Sequence, residues 1–114
     1  MTIHEIVSLV QGKILSGKIG KEEGVEYCFA SDLMSDVLTV CRSDFMLITG
    51  LSNVQSIRTA EMSDLKYVLL VRGKTPPQEM VDLAEDSGIV LIVSPFSMFK
   101  ASGILYGAGL KGVF

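Results

Sequence analysis

The sequence predicts a three-layer α/β fold, with a mostly parallel central sheet and helices on both faces. Three short apolar runs, Phe45–Thr49, Tyr67–Val71 and Ile89–Val93, lack the polar alternation of half-exposed strands. Such runs mark strands covered on both sides. Each is followed by turn residues and then by apolar residues at helical spacing, the order expected of parallel crossovers. Met46, Val68 and Val90 hold equivalent places 22 residues apart. A leucine-rich solenoid of that period is excluded, because its L-x-x-L-x-L-x-x-N pattern is absent and the helical segments are too long.

The elements follow in order. Thr2 is placed to cap an opening helix whose Ile3, Ile6, Val7 and Val10 share one face, and Gly12 can end it. The polar, glycine-punctuated stretch from Ser16 to Gly24 reads as a surface connection. Val25 to Ala30 reads as a strand, and Ser31 and Asp32 as the start of a short helix carrying Leu33, Met34, Val37 and Leu38. After the second strand, Ser52 leads a helix with Val54, Ile57 and Ala60 inward. Pro76 and Pro77 lead the next, with Met80, Val81 and Ala84 inward and Gly88 closing it. Ser97 leads the last, carrying Met98, Ala101 and Leu105.

With 114 residues, 48% of them hydrophobic, the chain reads as one domain. Residues 1–24 form the helix and connection, 25–109 the α/β core, and 110–114 an apolar tail that docks on its own domain or covers a partner. No apolar stretch approaches a membrane span and no leader-like start is visible, so a cytoplasmic protein is expected. Net charge is −3, with the basic residues scattered. That pattern excludes a phosphate-tracking nucleic-acid surface but leaves room for a local anion pocket.

Several chemistries are disfavoured. Cys28 and Cys41 form no C-x-x-C pair, and Cys28 reads as a buried thiol. His4 is the single histidine and is expected on the polar face of the first helix, so neither a Ser-His-Asp constellation nor a His-based metal site can be assembled. Glu79, Asp82, Glu85 and Asp86 read as a solvated helix face. Gly73-Lys74-Thr75 looks like the end of a P-loop, but position 68 is Val where that loop needs Gly. No enzyme activity and no cofactor are expected. Gly103 and Gly107 form a G-x-x-x-G, read as close packing of the last helix on the sheet.

Ligands of open α/β sheets bind outside the carboxyl ends of the strands. Those ends read Ala30-Ser31-Asp32, Thr49-Gly50-Leu51-Ser52-Asn53, Arg72-Gly73-Lys74-Thr75 and Ser94-Pro95-Phe96-Ser97. The candidate ligand residues are therefore Thr49, Gly50, Ser52, Asn53, Arg72, Gly73, Lys74, Thr75, Ser94 and Ser97. Converging helix N-termini with Arg72 or Lys74 suit a phosphate or carboxylate. Ser31, Ser52 and Ser97 are equally well explained as ordinary N-caps.

The order Leu47-Ile-Thr-Gly50, helix, Val68 to Gly73 with Pro77, Glu79 to Gly88, then Ile89 to Phe96 resembles a DRTGG domain over residues 25–106. Met80-Val-Asp-Leu-Ala-Glu-Asp-Ser-Gly-Ile89 carries the strongest likeness. The resemblance implies a fold like the N-terminal domain of HPr kinase and a stand-alone regulatory module without catalysis, forming a homodimer. It also implies a hydrogenase-related or metabolic-enzyme partner, since such domains accompany phosphate acetyltransferases, CBS-domain pyrophosphatases and iron-hydrogenase genes. The signature glycines persist at 50 and 73. Gly50-Leu51-Ser52, Arg72-Gly73-Lys74 and Phe96-Ser97-Met98 replace the family's Gly-Asp-Arg, Thr-Gly-Gly and Tyr-Asp-Thr-like stretches, so its acids are missing and the rim shifts toward anions. The expected function is binding of a small anionic metabolite or nucleotide at the rim. The alternative is a homodimeric interaction module without a small ligand.

Overall fold

Strands buried on both faces need every backbone group paired with a neighbouring strand, and the sheet meets that demand. The computed structural model describes residues 1–114 and contains six strands in the spatial order β1-β5-β4-β3-β2-β6. β2 is Tyr27–Ala30, β3 Phe45–Thr49, β4 Tyr67–Leu70 and β5 Val90–Val93, all parallel to their neighbours among these four. β1 (Lys13–Ile14) joins β5 antiparallel, and β6 (Lys111–Gly112) joins β2 parallel.

The helices are α1 (Ile3–Leu9), α2 (Met34–Val37), α3 (Val54–Met62), α4 (Gln78–Asp86) and α5 (Met98–Gly107). The walk from β2 through β5 moves one strand at a time in one direction. Right-handed crossovers then put α2, α3 and α4 on one face. α5 returns from β5 to the opposite edge, which takes it across the other face beside α1. Alternate strand residues record this division. Met46, Ile48, Leu69 and Ile92 pack with Ile3, Ile6 and Leu105, whereas Phe45, Leu47, Leu70 and Leu91 pack with Ile57, Met80 and Val37. The expected three-layer, mostly parallel fold is present.

Several local expectations change. Gly12 does not simply end α1: a Cβ there would lie 3.0 Å from Ile92 Cγ2, so its bareness lets β1 approach β5. Ser16 is buried rather than on a surface connection. Its hydroxyl donates to Ile89 O at 2.7 Å and accepts Leu91 N–H at 3.0 Å, extending the β1 edge with a side chain. The tail forms β6 rather than a loose end, with Lys111 N–H donating to Glu26 O at 2.9 Å. Asn53, not Ser52, caps α3, accepting Gln55 N–H at 2.9 Å. α2 begins at Met34, after Ser31 has accepted Leu33 N–H at 3.0 Å in a local turn, and Leu33 and Leu38 face solvent. α1 and α5 start as read, with a Thr2–Glu5 capping box and a Ser97 cap. No helix is long and apolar enough to cross a membrane.

The glycines of α5 do not pack on the sheet. Gly103 and Gly107 are exposed, and a Cβ built on either meets nothing within 4 Å. The packing surface of that helix is instead Ala101 and Leu105.

Candidate functional site at the strand ends

The loops after β2, β3 and β4 meet around Gly50, and a carboxylate organises them. Asp32 Oδ1 accepts Gly50 N–H at 2.6 Å and the Thr49 hydroxyl at 3.1 Å, while Thr49 Oγ1 accepts Leu51 N–H at 3.1 Å. From the other side, Lys74 Nζ donates to Gly50 O at 2.6 Å. Both polar groups of the Gly50 backbone are thus held by side chains of opposite charge. A Cβ at Gly50 would lie 3.4 Å from Asp32 Oδ1 and 3.7 Å from Arg72 Nε, so this glycine separates a carboxylate from a guanidinium. Arg72 is exposed, and its guanidinium forms no ion pair.

Adjacent strands whose connections leave to opposite faces create the crevice in which such sheets bind ligands. Here that switch lies between β4, which leads to α4, and β5, which leads to α5. It is bridged: Arg72 N–H donates to Phe96 O at 2.7 Å and Gly73 N–H to Ser94 O at 3.0 Å. Meeting those acceptors turns Arg72 and Gly73 into consecutive left-handed residues, with φ of 73° and 65°. Gly73 adopts this freely, whereas an arginine there costs about 1–2 kcal/mol. The turn leaves the Arg72 side chain at the rim beside Gly50.

The candidate residues therefore divide. Thr49, Gly50, Arg72 and Lys74 come together. Gly73 shapes their loop. Asn53 and Ser97 are committed to capping α3 and α5. Ser94 is buried at 2% exposure, where its hydroxyl donates to Val10 O at 2.7 Å and accepts Phe96 N–H at 3.1 Å. It ties α1 to the β5 loop. Ser52 Oγ is buried beside the start of α3 with no hydrogen-bond partner, and Thr75 is exposed. Asp32 was missed as a site residue. It stands among the strand-end residues, but a place just after β2 suits a helix start equally well; its carboxylate gives the rim an acid at a position other than those of the family pattern.

The chain's two concavities lie elsewhere. A cleft of about 570 Å³ at the amino ends of the strands is bordered by Glu5, Glu22, Asp44 and Lys66. Nearby, Glu23 accepts the Tyr67 hydroxyl at 2.6 Å and pairs with Lys66 at 3.1 Å. The Tyr67 hydroxyl and Lys66 hold the Glu23 carboxyl below its ordinary range, and burial then raises the Tyr67 phenol above its own. An apolar groove of about 840 Å³ runs between α5 and the β6 edge, lined by Cys28, Phe29, Phe99 and Tyr106 among others. Burial pushes the Cys28 thiol up to about 12. No group of three or more His, Cys, Asp or Glu side chains is placed to hold a metal ion.

Among solved structures, the chain is similar to the CBS and DRTGG domains of the regulatory region of Clostridium perfringens pyrophosphatase, complexed with its activator diadenosine tetraphosphate. The TM-score is 0.72 at 18% identity. The fold is shared. The match covers 91% of this chain and 45% of that one, so this chain spans less than half of the regulatory region. No protein-family model matches the chain, and no curated protein matches it. The fold expected from the DRTGG resemblance thus stands, at an identity that carries the fold alone.

Proposed function

We propose that this chain is a DRTGG-type regulatory module without catalytic activity. Its rim binds the phosphates of a small anionic metabolite or nucleotide. The observation that carries this reading is Arg72: a strained, exposed arginine without an ion pair, one glycine away from a fixed carboxylate. Left-handed non-glycine residues persist where their surroundings hold them, and they gather at ligand sites. Lys74 and the N-terminus of the nine-residue α3 add positive potential on the same rim. Asp32 plays the complementary part. It fixes Gly50, and its second carboxylate oxygen is available to a ligand hydroxyl such as that of a ribose.

The structural neighbour's regulatory region was captured with a dinucleoside polyphosphate, which makes diadenosine tetraphosphate and ATP the probes to use first. Binding to the folded state raises the melting temperature as ligand exceeds its dissociation constant. The experiment is a thermal-shift titration of wild type, Arg72→Ala and Lys74→Ala with both nucleotides. The reading expects stabilisation of wild type that both variants lose. No shift up to millimolar nucleotide, or an equal shift in all three proteins, overturns it.

A further inference from the structure

The apolar groove along α5 ends beside the rim. Ala30 and Ile48 line it near the carboxyl ends of β2 and β3. Each stands two residues before a rim residue, Asp32 and Gly50, and those two are joined by the 2.6 Å bond from the glycine amide. At about 3.3 Å per extended residue, the groove opens within about 7 Å of the rim on both strands. Arg72 continues the line, since a Cβ at Gly50 would meet both its guanidinium and the Asp32 carboxylate.

The groove's walls suit a flat, uncharged ring. Its volume of about 840 Å³ lies within the range of ligand pockets, about 300–1,000 Å³. No Asp or Glu lines it. Phe99, 90% exposed, and Tyr106, 76% exposed, stand seven residues apart on α5, a rise of about 10 Å. Gly103 lies between them on the same helical face, and a Cβ there would meet nothing within 4 Å. This glycine, unfavourable in a helix, leaves a slot between two aromatic side chains. Ser102 also lines the groove, and its buried hydroxyl has no hydrogen-bond partner. Buried hydroxyls are nearly always paired, so one left unpaired in an apolar wall is a place for a ligand's polar edge.

We propose that the groove holds the base of a nucleotide whose phosphates lie at the rim. The inference rests on the reading of the rim as a phosphate site, and it names the body that those phosphates carry. The order along the surface is that of a nucleotide. Arg72 and Lys74 serve the phosphates, Asp32 the ribose hydroxyls, and Ala30, Ile48 and the α5 slot the base. Aromatic side chains stack a base through its π-face, and the nitrogens along its edge match the Ser102 hydroxyl. An alkyl tail would also fill the groove, but it has no use for an unpaired hydroxyl or for a slot between rings.

The test is calorimetric titration with three probes that share a diphosphate head: pyrophosphate, ADP and farnesyl diphosphate. The proteins are wild type, Phe99→Ala, Gly103→Leu and Arg72→Ala, with circular dichroism to verify each fold. Stacking one base on an aromatic side chain strengthens binding by roughly tenfold to a hundredfold. Wild type should bind ADP that much more tightly than pyrophosphate, and farnesyl diphosphate should gain less. Phe99→Ala and Gly103→Leu should abolish the ADP advantage and leave pyrophosphate binding unchanged. The leucine fills the slot while favouring the helix, so its effect is separable from folding. Arg72→Ala should weaken all three probes. Equal affinity for ADP and pyrophosphate, an ADP advantage that survives both α5 changes, or a farnesyl gain as large as that of ADP overturns the base site and leaves the rim standing. Binding of none of the probes, or binding that Arg72→Ala leaves intact, overturns the rim reading and the base site with it.

Discussion

Asp32 and Gly50, on loops that leave neighbouring strands, are joined by a 2.6 Å hydrogen bond from the glycine amide to the carboxylate. The same oxygen takes the hydroxyl of Thr49, a residue with no solvent exposure. Replacing Asp32 by Ala leaves an amide and a hydroxyl without their acceptor. The expected cost is about 1–3 kcal/mol, the penalty for a buried polar group left unsatisfied. Urea denaturation should show a lower midpoint at an unchanged slope.

Gly50→Ala separates folding from binding. The added methyl makes ordinary contacts of 3.4–3.7 Å with Asp32 and Arg72 and meets no backbone clash. Stability should move by less than about 0.5 kcal/mol, the usual range for changes that touch no key feature. The methyl would occupy the gap between carboxylate and guanidinium, so the nucleotide-induced thermal shift should fall sharply.

Arg72→Gly should stabilise the fold while removing the proposed ligand contact. Relief of the left-handed arginine is partly offset by the greater freedom of unfolded glycine, leaving a net gain of about 0.5–1 kcal/mol. A higher melting temperature without nucleotide, together with a lost response to it, is the expected pair of readings.

These predictions rest on parts of the molecule that differed in how plainly the sequence announced them. β3, β4 and β5 were legible because burial on both faces leaves unbroken apolar runs. β1 and β6 were not, because a two-residue edge strand carries no periodicity, and β1 is completed by the side chain of Ser16. At the rim, position after a strand identified Gly50, Arg72 and Lys74 correctly as neighbours. It could not tell which way a residue faces once the strand ends. Ser94 continues the side of Val90 and Ile92 toward α1, so its hydroxyl meets Val10 instead of a ligand. Asp32 suited a helix start as well as a loop contact, and only the tertiary approach of Gly50 decides between them.

A pH dependence follows from the Tyr67–Glu23 contact. The Glu23 carboxyl is held below its ordinary value, so this contact contributes fully above the unfolded carboxylate range, about 4–4.5. The contribution is lost as pH falls through the lower folded value. Tyr67→Phe should therefore cost about 0.5–1.5 kcal/mol at pH 7, and its deficit relative to wild type should shrink below about pH 4. Melting curves of both proteins between pH 3 and pH 7 check the sign.

The two thiols should behave differently. Burial pushes Cys28 up to about 12, whereas Cys41 is exposed. Titration with a disulfide reagent at pH 8 should count one thiol per native chain and two after denaturation, because the thiolate is the reactive form. Cys41→Ser should leave the native chain unreactive.

The most direct measurement of the central claim is an amide ¹H–¹⁵N correlation titration with diadenosine tetraphosphate. If the rim is the ligand site, the largest perturbations fall on Gly50, Arg72, Gly73 and the first turn of α3, and they vanish in Arg72→Gly. Unmoved rim amides at millimolar nucleotide, or changes confined to the groove between Phe99 and Phe114, would contradict it.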